Sequence, residues 1–170
     1  DILGSTLDGS VTIETDNAPT ITVLGENPLT IEVLTTYSDA GATASDTEDG
    51  DLTAQIVTQN NVDPSALGSY TVDYSVTDSD GNSATASRTV NVIDTTTPEI
   101  TLNGANPINL LVGDSFVDPG VTVSDNLDPA PVVNVDGTVD TSTPGTYTLS
   151  YTATDASGNS SATIERDVIV

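Results

Sequence analysis

The chain contains no cysteine, histidine, lysine, methionine or tryptophan. Without cysteine no disulfide can reinforce it. Without histidine, lysine or cysteine the side chains behind most acid–base and nucleophilic catalysis are missing. Aromatic residues are scarce, five tyrosines and one phenylalanine. Positive charge is nearly absent: two arginines face 26 acidic residues, for a formal net charge of −24. Such a balance repels nucleic acid and anionic membranes and strains any compact fold by self-repulsion unless cations bind. No apolar run reaches the roughly 18 residues of a membrane helix, and no secretory leader is visible. The chain opens at Asp1, which reads as a piece cut from a longer protein.

What the chain does have, it has twice. Pro19-Thr-Ile-Thr-Val opens one copy and Pro98-Glu-Ile-Thr-Leu the other, at an offset of 79 residues. Gly25/Gly104, Asn27/Asn106, Pro28/Pro107, Asp39/Asp118, Gly41/Gly120 and Asp46/Asp125 keep that offset. The copies realign at Gly68-Ser-Tyr-Thr-Val-Asp-Tyr and Gly145-Thr-Tyr-Thr-Leu-Ser-Tyr. A repeat of this length with strand-like content predicts tandem domains: repeat 1 over 18–94 and repeat 2 over 95–170. Residues 1–17 hold one strand-like run, Ser10–Thr15. It reads either as the last strand of a preceding repeat or as an added N-terminal strand. Domains of about 75–80 residues gain modest stability from their cores alone, so a second stabiliser such as a metal is expected.

High charge with few aromatics is also a signature of disorder, but the apolar residues alternate cleanly. Tyr70, Val72, Tyr74 and Val76 share one parity, and Tyr147, Leu149, Tyr151 and Ala153 repeat it. Period two with one wet face, and turn residues every 8–12 positions, predict an all-β fold of two tandem immunoglobulin-like antiparallel β-sandwiches. Expected strands are 20–24, 30–35, 41–45, 53–58, 68–77 and 84–92, then 99–102, 109–112, 121–124, 132–135, 145–154 and 162–170. Tyr74 and Tyr151 are expected in the core, and Phe116, the counterpart of Tyr37, as an anchor under its loop. Arg88 and Arg166 occupy one structural position in both copies, which favours a structural ion pair, with Asp73 as candidate partner of Arg88.

The pattern Pro-x-Ile-Thr-apolar-x-Gly, then Asp-x-Gly, then Gly-x-Tyr-x-apolar-x-Tyr-x-x-Thr-Asp-x-x-Gly-Asn covers about residues 18–170. It resembles the bacterial immunoglobulin-like repeats of large surface adhesins and biofilm-associated proteins. The Gly-x-Tyr strand resembles the tyrosine-corner strand of such domains, with Tyr74 and Tyr151 where antibody domains have cysteine. The resemblance implies an extracellular, bacterial cell-surface spacer or binding module, often calcium-loaded. Repeat 2 departs at Pro129-Ala-Pro131, where repeat 1 has Gly50-Asp51-Leu52, so equal metal occupancy is not implied.

Strand polarity brings three acidic segments of each repeat to one tip. In repeat 1 these are Asp16 of the incoming chain, the loop carrying Asp46, Asp49 and Asp51, and the turn carrying Asp78 and Asp80. In repeat 2 they are Asp94, then Asp125 and Asp128, then Asp155. The tip of repeat 2 is expected at the junction of the repeats. Calcium takes six to eight oxygen ligands from such loops, so Ca2+ is the expected partner; the plain alternative is that each Asp caps its own turn. Paired acids also perform glycoside hydrolysis, but that needs a cleft that a small sandwich lacks, and no enzyme activity is expected. The expectation is a non-catalytic, calcium-stiffened, monomeric spacer that contacts neighbouring repeats and extends a region facing a host or biofilm ligand. The alternatives are a ligand- or carbohydrate-binding module, or an accessory domain of a secreted polysaccharide-degrading enzyme.

Overall fold

The computed structural model describes residues 17–170, so the Ser10–Thr15 run and Asp16 lie outside the described residues. The chain divides into two compact units, Asp1–Ile93 and Asp94–Val170.

Unit 1 is two sheets face to face. The smaller contains β1 (Thr20–Val23), β3 (Ala42–Asp46) and β4 (Gly50–Asp51). The larger has the order β2 (Leu29–Glu32), β7 (Ser83–Ile93), β6 (Gly68–Thr77), β5 (Val57–Asn60). All its pairings are antiparallel except β2 with β7. Unit 2 repeats this with β8 (Glu99–Leu102) on β10 (Val121–Ser124), facing β9 (Ile108–Asn109), β13 (Ile164–Ile169), β12 (Thr146–Thr154) and β11 (Val132–Asp136). Here β9 on β13 is the parallel pair. Among the described residues no counterpart of β4 exists in unit 2. Its place is taken by Pro129-Ala-Pro131, and proline supplies no N–H for a ladder.

Two expected strands are shorter than the sequence suggests. The segment 30–35 ends as a strand at Glu32 because Leu34 turns left-handed, with φ 63°. The segment 53–58 is a 3-10 turn, Thr53–Gln55, followed by β5. Asp51 causes the break by accepting the Thr53 N–H at 2.9 Å, which closes a local turn in place of a ladder bond. Likewise in 109–112 the strand ends at Asn109, the Leu110 N–H still donates to the Ile169 carbonyl at 2.8 Å, and Leu111 and Val112 are exposed.

The period-two pattern of the long strands becomes the core. Val72, Tyr74, Val76, Val90 and Val92 are buried in unit 1, and Leu149, Tyr151, Ala153 and Val168 in unit 2. The Tyr70 hydroxyl donates back to the Ala66 carbonyl at 2.9 Å, and Tyr147 to Thr143 at 3.0 Å. These are the tyrosine corners that the Gly-x-Tyr pattern resembled.

Both arginines lie inside. Arg88 and Arg166 are 1% and 0% exposed. Arg88 shares the inward parity of Val90 and Val92, and the register sets it opposite Val72, while outward-facing Asp73 pairs with Ser87. That parity rules out Asp73 as its partner. The partner is Asp39, 3.5 Å away, in the loop before β3; Arg166 meets Asp118 at 3.3 Å. Arg166 Nη2 also donates to the carbonyls of Asn103 (2.6 Å) and Gly120 (3.0 Å), which follow β8 and precede β10. Arg88 Nη2 donates likewise to Leu24 and Gly41. The Tyr74 hydroxyl donates to Asp39, and Tyr151 to Asp118, each at 2.8 Å. Each triad therefore ties the larger sheet to the smaller one. Gly25 permits this closeness: at φ 78° a Cβ there would sit 3.2 Å from Ala40 Cβ and 3.7 Å from the guanidinium.

A second fastener is the side chain of Asn27. It accepts from the Thr89 N–H and donates to the Ser87 carbonyl, both at 3.0 Å, as a strand residue would. Asn106 does the same to Asp167 and Glu165.

Removing one member of a buried pair strands the other. Arg166→Met should therefore lower the stability of unit 2 by about 3 kcal/mol in urea unfolding; a loss under about 1 kcal/mol would show that the pair is dispensable. The phenols supply a pH test. Burial, and then the hydrogen bond to Asp118, push the Tyr151 hydroxyl up to about 12; burial and Asp39 do the same for Tyr37, also to about 12, and raise Tyr74. Stability from these neutral phenols is complete below about pH 10, the unfolded value, and is lost as pH rises through about 12. Absorbance titration should show a late-ionising tyrosine class that coincides with unfolding. A single ionisation near pH 10 for all five tyrosines would contradict this.

Candidate metal centre

The same strands that carry the triads deliver acids to the opposite end. In unit 2, Asp125 directly follows β10, Asp155 directly follows β12, and Asp94 is the unit's first residue. One carboxylate oxygen from each lies within 4.8 Å of the others. Asp94 and Asp155 are 8% and 6% exposed, and Asp125 is half-buried.

Each of the three is fixed by local donors. Asp125 Oδ1 accepts the N–H groups of Leu127 (2.9 Å) and Asp128 (2.8 Å). Asp155 Oδ1 accepts the Asn159 N–H at 2.7 Å, and Oδ2 accepts the Asn159 side chain at 2.9 Å. Asp94 Oδ2 accepts the Ser157 hydroxyl at 2.8 Å, and the Asp94 carbonyl accepts the Asn159 side chain at 3.1 Å. Burial pushes the Asp155 carboxyl up, but the hydrogen bonds from Asn159, Gly158 and Ser157 outweigh it and hold the group below its ordinary value. It is ionised at neutral pH.

One atom is left over. Asp125 Oδ2 is buried and has no hydrogen-bond partner. A buried charged oxygen without a partner is costly, and both arginines are engaged with Asp39 and Asp118. Two oxygens on one calcium at about 2.4 Å each are at most about 4.8 Å apart, and the three carboxylates span that range. An all-oxygen set of this kind fits a hard cation.

Unit 1 shows the same arrangement in its described part. Asp46 Oδ1 accepts the N–H groups of Glu48 (2.8 Å) and Asp49 (3.0 Å), and Asp78 Oδ1 those of Asp80 (3.1 Å) and Asn82 (2.7 Å). The Oδ2 atoms of Asp46 and Asp78 are both buried without a partner. Asp16 lies outside the described residues. The other candidates have different surroundings. Asp51 holds the Thr53 turn, and Asp80 is exposed. Asp49 and Asp128 bond across to the neighbouring loop, at Ser79 and Ala156. Ser157 was not foreseen as a partner of Asp94, because only the folded hairpin brings it there.

A concavity of about 510 Å³ lies on the outer face of the larger sheet of unit 1, between Val57, Gln59, Asp73, Ser75, Thr85 and Ser87. Its one aromatic neighbour, Tyr74, is 1% exposed, so it offers no ring for a sugar to stack on. Among the described residues no helix is long and apolar enough to cross a membrane.

Among curated proteins, the chain is 35% identical over 133 residues to pesticidal crystal protein Cry22Aa of Bacillus thuringiensis, covering 72% of this chain and 18% of that protein. It is 30% identical over 160 residues to an uncharacterized 81.3 kDa protein of Acholeplasma phage L2, covering 82% of this chain and 20% of the other. The chain thus spans about a fifth of the curated relatives it matches. Among solved structures, it is similar to the lipoprotein BT2262 of Bacteroides thetaiotaomicron (16% identity, TM-score 0.41, covering 87% of this chain and 99% of that one). It is also similar to the CBM51-2 and INT domains of Clostridium perfringens ZmpB, solved with GlcNAc (21% identity, TM-score 0.38, covering 89% and 41%). Residues 21–92 and 100–170 each match the family described as bacterial surface protein, Ig-like domain. The chain belongs to that family, as two tandem Ig-like domains.

Proposed function

We propose that these two domains form a non-catalytic extracellular segment of a bacterial surface adhesin, a calcium-stiffened spacer that carries a binding region away from the cell. The observation that supports it is the set of buried carboxylate oxygens without partners, Asp125 Oδ2 in unit 2 and Asp46 and Asp78 Oδ2 in unit 1. They lie among acids that the fold gathers and no side-chain cation neutralises. Calcium bound at Asp94, Asp125 and Asp155 would remove the repulsion among them. It would also fix Asp94, the residue that follows β7, to the loops of unit 2. The remaining surface carboxylates keep such a segment soluble. A sugar-binding module is less well supported, because the concavity on the outer face of the larger sheet of unit 1 presents no exposed ring.

Thermal unfolding and small-angle scattering in calcium and then in chelator test the reading. Extracellular modules bind calcium at roughly 10⁻⁴–10⁻³ M. At a hundredfold excess one site adds about 2.7 kcal/mol, which is roughly 10–20 °C in a domain of this size. The particle should also become more extended and less variable. Identical melting and scattering in both solutions would reduce the acids to turn formers.

A single substitution gives the opposite sign in the two solutions. Asp94→Asn removes one of three crowded charges but keeps an oxygen to accept from Ser157. In chelator it should raise the melting temperature of unit 2 by roughly 4–8 °C, the equivalent of about 1 kcal/mol; in calcium it should lower it. A rise in both would mean that the cluster repels but binds no calcium, and a fall in both that its charges do not repel.

A further inference from the structure

We infer that Asp128, and its counterpart Asp49, are positioning residues that staple the two ligand-bearing loops of each unit together, and are not themselves cation ligands. The inference rests on the calcium reading above, but its geometry stands without the ion. Asp128 lies three residues beyond Asp125, and its Oδ2 accepts the N–H of Ala156, the residue after Asp155, at 2.9 Å. Its Oδ1 accepts the Ala130 N–H at 2.9 Å. Both oxygens are thus engaged, one of them across a gap of 28 residues. In unit 1 both oxygens of Asp49 go to Ser79, the residue after Asp78: Oδ2 accepts its N–H at 2.6 Å and Oδ1 its hydroxyl at 2.9 Å.

Asp49 and Asp128 keep the 79-residue offset, and both reach the residue that follows the aspartate of the next hairpin. The convergent set in unit 2 contains Asp94, Asp125 and Asp155 and omits Asp128. Asp128 spends both oxygens on backbone N–H groups of two different loop positions, whereas Asp125 keeps Oδ2 without a partner; charge-assisted bonds of this kind fix a neighbouring loop well. Groups that orient ligands from behind typically contribute 10–100-fold to metal affinity.

The predicted signature separates a staple from a ligand. Asn has one acceptor oxygen; turned to the Ala156 N–H it gives up the Ala130 bond but keeps the bridge between the loops, so Asp128→Asn should bind calcium within about threefold of wild type. Asp128→Ala should bind roughly 10–100-fold more weakly. Asp155→Asn, a ligand substitution, serves as the control and should lose binding more than Asp128→Asn. Calcium titration of the 170-residue chain by calorimetry reads all four proteins. Amide hydrogen exchange in chelator supplies the metal-free arm: the Ala156 N–H should be protected in wild type and Asp128→Asn, and released in Asp128→Ala. Asp128→Asn falling as far as Asp155→Asn would make Asp128 a ligand and overturn the inference. Unchanged Ala156 exchange in Asp128→Ala would overturn it as well. If wild type binds no calcium yet the exchange pattern holds, the calcium reading fails and the staple stands as a loop fastener.

Discussion

Everything in each domain hangs on one buried contact, the arginine that crosses between the sheets. Domains this small bury a limited apolar core, and this chain has no cysteine to bridge its sheets. Arg88 and Arg166 take over the bridge. Each leaves the larger sheet at an inward position, meets an aspartate and two backbone carbonyls at the edge of the smaller one, and shares that aspartate with a buried tyrosine. The Arg166 guanidinium also lies 5.8 Å from the centre of the Tyr151 ring, within cation–π range. A buried ion pair adds little net stability over an apolar replacement, but it tolerates few alternative arrangements. Carbonyls that end β1 and precede β3 must be in place to satisfy it. The contact therefore fixes register between sheets that a core of valines and alanines would specify only loosely.

The clamp also sets up the acidic tip. β3 starts at the clamp, next to Gly41, and ends at Asp46; β6 carries Tyr74 and ends at Thr77, just before Asp78. In unit 2, β10 starts next to Gly120 and β12 carries Tyr151, and they end just before Asp125 and Asp155. One strand from each sheet thus acts as a ruler between a cationic centre and an anionic end. The chain spends its only two positive side chains inside, so the acids at the tip have no cationic side chain to meet. The net charge of −24 adds to their mutual repulsion.

Much of this was legible in the sequence because it rests on periodicity and on repetition. Alternation of Tyr70, Val72, Tyr74 and Val76 defines a strand face, and a copy at a fixed offset shows which acids belong to the architecture. Strand direction and the entry of the incoming chain predict one tip for Asp94, Asp125, Asp128 and Asp155, of which Asp94, Asp125 and Asp155 come within 4.8 Å of one another. Three things were not legible. The partner of Arg88 is 49 positions away in a loop, and only register and parity exclude the nearer Asp73. The Asn27 and Asn106 side chains imitate a strand, which no local pattern announces. The difference between Asp125 and Asp128 depends on which N–H each oxygen finds, and in sequence they are merely two acids in one loop.

The two copies act as an internal control on that loop. In unit 1 it is held by three devices: the Asp46 turn, the Asp49 staple and the short β4 pairing with β3. In unit 2 the prolines at 129 and 131 stand where β4 would be, and among the described residues that pairing is gone. The Asp125 turn and the Asp128 bond to Ala156 are still present. A loop that loses its ladder while its carboxylate fasteners persist is not held for the sake of the sheet. What the fasteners preserve in both copies is the junction of the two loops, through Asp49 and Ser79 in unit 1 and through Asp128 and Ala156 in unit 2; in unit 2 that junction accompanies the approach of Asp125 to Asp155. Bringing like charges together opposes folding by itself, so devices that do so in both copies are what the proposed calcium site would explain.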